Sequence, residues 1–154
     1  MSYREKVQWV SLVTGLLVWS IYFARFAMSL AAGKPAPGEA LGGFVGAVIV
    51  LVVLQIAAFI AIAVHRPSEA ELPADPRERE IEGRAGIAGY IVLCVTVFTV
   101  LIATPLLTVS APAALGQPGG ATAAMLVGNA LLAALVIASV VHSIWQIVLY
   151  RRQA

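Results

Sequence analysis

AGIAGYIVLCVTVFTVLIATPLLTVSAPAALGQPGGATAAMLVGNALLAALVIASVVHSIWQIVLY, running from Ala85 to Tyr150, contains no Asp, Glu, Lys or Arg in 66 positions. A membrane crossing needs about 20 mainly apolar residues, so this run is too long for one helix and fits two. Ser110–Gly120 holds two prolines and three glycines in eleven residues and reads as the turn between them. The third crossing is then about 85–109 and the fourth about 121–150.

Working outward, Ala40–Val64 is a further uncharged run of 25 residues, and Val7–Ala32 is apolar with Arg25 as its one charge. These are the second and first crossings, about 40–64 and 7–32, and 65–84 is the loop between the two pairs. The apolar runs are continuous rather than alternating, and they are too few to close a barrel, so helices remain as the way to satisfy the backbone in lipid. The stretch after Lys6 is about twice as long as a signal-peptide core, which favours a retained crossing. The composition agrees: of 154 residues, 60% are hydrophobic and 12% charged, against about 25% charged in a soluble domain. Both a soluble domain and a disordered chain are excluded. The expected fold is all-α, a single transmembrane domain over 1–154, built as a four-helix bundle of two helical hairpins.

Charge placement sets the expected orientation. Arg4, Lys6, Arg66, Arg77, Arg79, Arg84, Arg151 and Arg152 fall on one side if the helices alternate, and Lys34 alone falls on the other. Eight against one places both termini and the 65–84 loop in the cytoplasm, with Trp9, Trp145 and Tyr150 near the inner interface. The net charge of +2 thus follows from topology. The loop itself carries six acids against four bases, with no basic-aromatic patch for nucleic acid.

Within the helices, Arg25 is the sharpest residue, because intramembrane charge is costly and faces protein or water. Ser11, Gly15, Val18, Tyr22, Arg25 and Ser29 follow a 4-3-4-3-4 spacing and share one seam. Arg25 either snorkels to the outer interface, pairs with Glu39, or serves a ligand. On the fourth helix, Ser139, His142, Ser143 and Gln146 share a face, with Asn129 near the same stripe farther outward. Gln55, Thr96 and Thr99 add polar groups at membrane depth. Such groups serve as interhelical glue or as the lining of a polar path. Gly38, Gly42 and Gly46, and Gly120, Ala124 and Gly128, form small-residue stripes suited to close helix approach. Pro105 is expected to kink the third helix.

Asp75 suits an N-cap, Pro76 the first helical position and Glu78 a capping box, with Glu80 and Arg84 spaced for an i,i+4 pair. The third helix should therefore begin about two turns before the membrane. Asp75, Arg77, Glu78 and Arg79 there are also candidates for docking a cytoplasmic partner. The one cysteine, Cys94, rules out the cysteine pairs of a membrane thiol oxidase. The absence of an intramembrane carboxylate argues against a proton-coupled multidrug exporter. His65 and His142 lie at different depths, so bis-histidine haem is not expected, and no carboxylate or cysteine cluster suggests a metal. No catalytic motif or phosphate loop is present.

Ser2-Tyr3-Arg4-Glu5-Lys6, the Asp75–Ile81 run and Gln146–Arg152 resemble a family of small uncharacterised bacterial inner-membrane proteins, from which Pro76 and Gly83 depart in the central run. The resemblance implies a four-helix protein of the bacterial inner membrane and supplies no catalytic residues. The expectation is a non-enzymatic accessory or binding protein, without cofactor. It would engage the bilayer, a hydrophobic small molecule, a second copy or another membrane protein. The alternative is a small oligomeric transporter or channel with a polar path near Arg25, Asn129 and His142.

Overall fold

The computed structural model describes residues 3–33, 36–65, 75–116 and 119–152. They form four long helices: α1 (Tyr3–Ala31), α2 (Pro37–His65), α3 (Pro76–Ala114) and α4 (Gly120–Arg152). Each is long and apolar enough to cross a membrane, which makes the chain a multi-pass membrane protein. A helix of 29 residues, such as α1 or α2, spans about 43 Å at 1.5 Å per residue. That exceeds the hydrocarbon thickness of about 30 Å, so the helix ends reach the headgroups or the helices tilt.

The start of α3 is set by its own sequence. Pro76 takes the first turn, where its missing N–H costs nothing. Glu78 reaches back to accept the Asp75 N–H at 3.3 Å, and Arg84 donates to Glu80 at 2.6 Å. Residues 75–84 of the expected loop are thus the N-cap and first turns of α3, and 66–74 lie outside the described residues.

At its other end α3 does not break at Ser110. It is regular through Pro105, widens into a π-helical turn over Leu106–Ser110, and is regular again over Ala111–Ala114. Pro105 removes one backbone donor, and the wider turn resets the ladder by a residue without leaving backbone groups open to lipid. The hydroxyls of Thr104 and Thr108 donate to Val100 O (3.0 Å) and Thr104 O (2.8 Å), which adds local bonds on both sides of the proline. Pro112 falls in the first turn of the Ala111–Ala114 segment, where it is tolerated. The chain turns only at Leu115–Gly116, where Gly116 adopts φ +66°, a conformation that favours glycine.

α4 holds the structure together. Met125, Leu126, Ala134, Ala138, Ile147 and Leu149 are buried along it, together with Ser143 and Gln146, whereas α2 buries no residue. α3 lies along α4, α1 lies between α4 and α2, and α2 touches α4 only slightly. Among the described residues α3 has no extended contact with α1 or α2. α1 and α4 run antiparallel: Glu5 meets Arg151 at 3.7 Å at one end, and Tyr22 meets Asn129 farther along. The Arg151 guanidinium also sits 5.5 Å from the centre of the Trp9 ring, a cation–π geometry.

Among the described glycines, the tightest fit lies between α3 and α4. Ile81, Ala85 and Gly89 are buried at four-residue spacing, Ile81 and Ala85 at 1% and 0% exposure. A methyl group on Gly89 would lie 3.0 Å from His142 Cβ and 3.4 Å from the Ala138 carbonyl oxygen. The stripes Gly38–Gly42–Gly46 and Gly120–Ala124–Gly128 are not used this way. The glycines in both have nothing within 4 Å of where a Cβ would sit.

Lipid tails are as apolar as the side chains, so such close fits, rather than the hydrophobic effect, hold membrane helices together. Gly89→Leu should therefore lower stability by about 1–3 kcal/mol, the usual cost of overpacking. Gly86→Leu, one turn away with open space at its Cβ, should be close to neutral. Unfolding of both variants in mixed micelles, followed by helicity, measures the difference.

Candidate functional site: a groove between the first two helices

α1 carries an aromatic stripe at Trp19, Tyr22, Phe23 and Phe26, spaced i, i+3, i+4, i+7. The Trp19 ring stacks on Phe44 of α2 (centroids 6.3 Å, 27° apart) and meets Tyr22 edge-on at 5.9 Å. Tyr22 in turn lies edge-on to Phe23 at 5.2 Å and parallel to Phe26 at 6.5 Å. These rings fill the space beside α2 that Gly43 leaves open: its Cβ position is 3.7 Å from Tyr22 Cε2. Sequence reading singled out Tyr22 as part of a polar seam and overlooked the aromatic stripe, although its spacing was visible.

Tyr22 is the pivot of this region. Its hydroxyl donates to Asn129 Oδ1 at 2.6 Å, and Asn129 Nδ2 donates to Met125 O at 2.9 Å. Nearer the other end, Gln55 Nε2 donates to Ser11 Oγ at 3.3 Å. Two of the expected polar seams are therefore joined, α1 to α4 through Tyr22–Asn129 and α1 to α2 through Ser11–Gln55.

Between α1 and α2 lies an open groove of about 840 Å³, within the range of about 300–1,000 Å³ typical of small-molecule sites. Its walls include Leu17, Ile21 and Val50, and Gly42 and Gly46 open it on the α2 side. Arg25 and Glu39 both line it. Both are exposed, and among the described residues neither has an ion-pair or hydrogen-bond partner. An Arg25–Glu39 pair, one of the three readings of Arg25, is not formed, although the two share the groove. Antiparallel helices in register at Tyr22 and Gly43 bring them level, but not into contact.

The remaining candidates do not join this groove. Ser139 is exposed on α4. His142 is half-buried against Gly89 on the α3 side. Gln146 is buried at 4% exposure, and its Oε1, like Trp9 Nε1, has no hydrogen-bond partner among the described residues. Of Arg25, Asn129 and His142, this groove is lined by Arg25 alone. His65 Nδ1 lies 3.0 Å from Ala61 O at the end of α2, and Cys94 is exposed on α3. Among the described residues no three His, Cys, Asp or Glu side chains gather into a metal-binding group. Asp75, Arg77, Glu78 and Arg79 form the solvated first turn of α3, where Asp75 and Glu78 serve as its cap.

Comparison of the chain with protein-family models, with curated proteins and with solved structures finds no match.

Tyr22→Phe should cost about 0.6–2 kcal/mol, the range for hydrogen bonds between membrane helices. In a double-mutant cycle with Asn129→Leu, the second substitution should cost markedly less once the first is made. Unfolding free energies of the four species measure the coupling, and additive effects would show that the bond contributes nothing.

Proposed function

We propose that the chain is a non-enzymatic binding protein of the bacterial inner membrane that holds an amphiphilic molecule in the groove between α1 and α2. The observation that carries this reading is the groove itself. Apolar walls run along it, glycines open one side, and two opposite charges that are not paired with any described residue, Arg25 and Glu39, lie within it. A molecule with a hydrocarbon body and a polar end matches that distribution. No cofactor enters the proposal. Asp75, Arg77, Glu78 and Arg79 offer a second membrane or cytoplasmic protein a patterned place to dock.

In the same reading the four helices form a bundle of two hairpins, with both termini and the 65–84 loop in the cytoplasm. Eight basic residues on that side against Lys34 on the other support this orientation. The groove end marked by Arg25 and Glu39 then faces the outer leaflet.

The test is native mass spectrometry of the protein extracted in mild detergent from the membrane in which it was made. One amphiphile per chain, surviving until the detergent is stripped, is expected; a chain that carries none overturns the reading. Orientation is checked separately. With Cys94 replaced by Ser, a cysteine introduced at Ser2 should resist an impermeant thiol reagent in intact cells, and one introduced at Lys34 should react. The reverse pattern inverts the topology.

A further inference from the structure

Arg25 and Glu39 sit level in one groove, carry opposite charge and are not paired with each other. Apart from the six acids of the 65–84 loop, Glu39 and Glu5 are the only carboxylates in the chain. Glu5 belongs to the opposite end, where it meets Arg151. Among the described residues Arg25 is the one cation and Glu39 the one carboxylate that line the groove, and that pairing constrains the occupant. A simple anion would satisfy Arg25 and meet repulsion from Glu39. A simple cation would do the reverse, and an uncharged headgroup would leave both charges unmatched at the edge of a low-dielectric region, where that is costly. A headgroup carrying both charges on adjacent groups matches both side chains at once.

We propose that the groove seats a glycerophospholipid whose headgroup bears a phosphate and a primary ammonium two carbons apart. Arg25 holds the phosphate and Glu39 the ammonium. This rests on the reading of the groove as an amphiphile site and names its ligand class. The guanidinium presents paired donors suited to phosphate oxygens. The Glu39 carboxylate accepts from the ammonium N–H groups. An acyl chain runs from there along Leu17, Ile21 and Val50, past Gly42 and Gly46, where no side chain blocks α2. Tyr22, committed to Asn129, closes the groove toward α4.

The test uses full-length protein, delipidated in detergent and offered equimolar phosphatidylethanolamine and phosphatidylglycerol with the same acyl chains. Retained lipid is read by native mass spectrometry. Wild type should retain phosphatidylethanolamine by about tenfold over phosphatidylglycerol, a difference of about 1.4 kcal/mol. Glu39→Gln should abolish that preference without loss of phosphatidylglycerol. Arg25→Gln should lower retention of both lipids about tenfold, by loss of a charge-assisted phosphate contact. Among the described residues neither side chain has a partner, so helicity and unfolding should match wild type. If either variant fails to fold, the wild-type comparison decides alone. Equal retention of the two lipids by wild type overturns the headgroup assignment and leaves the amphiphile site standing. Retention of neither lipid, by a protein that also leaves its own membrane with nothing bound, overturns both. A Glu39→Gln protein that keeps the wild-type preference overturns the assignment of the ammonium to Glu39.

Discussion

Hydrocarbon offers a backbone amide no hydrogen-bond partner, and it gives an apolar side chain no reason to prefer protein over lipid. The first constraint makes every spanning segment helical and keeps α3 bonded through Pro105 by widening a turn rather than opening one. The second shifts the task of association from buried apolar area to close fit. It is met at Gly89, where α3 comes so close to His142 and Ala138 of α4 that a methyl group would crowd them. Polar bonds add to it at Tyr22–Asn129 and Ser11–Gln55.

The two sides of the molecule consequently differ in character. α4 buries more residues than any other helix and joins α3 to α1. α2 buries nothing and meets the rest mainly through α1. A helix that is apolar all round and unburied within its own chain is suited to a lipid environment, and the groove lies between this helix and α1. The tight α3–α4 contact is structural in kind, whereas the loose α1–α2 contact leaves space in which another molecule can lie.

Much of the architecture was legible in the sequence because the signals were local. Charge-free runs marked the crossings. Asp75, Pro76 and Glu78 marked the start of α3, and the order of Glu80 and Arg84 marked their ion pair. Properties that depend on two helices at once were less legible. A small-residue stripe states where a backbone can be approached, not whether a partner has a matching surface. Gly38–Gly42–Gly46 stood out, yet the stripe in use was Ala85–Gly89, with Gly89 set against Ala138 and His142. Arg25 and Glu39 were recognised as neighbours, but side-chain reach, not sequence spacing, decides whether neighbours pair. The turn after α3 was placed too early because Pro112 breaks a helix interior and is accommodated in a first turn, and composition alone does not distinguish the two positions.

The Tyr22–Asn129 bond joins residues 107 positions apart, and that separation has a meaning for biosynthesis. Chains are made from the N-terminus at about 5–20 residues per second, so α1 and α2 exist for several seconds before Asn129 is polymerised. During that interval the Tyr22 hydroxyl has no partner on α4, while the groove already has both of its walls and both of its charges. A lipid can occupy it before the second half of the protein arrives, and the closing of α4 against Tyr22 would then take place around an occupied site.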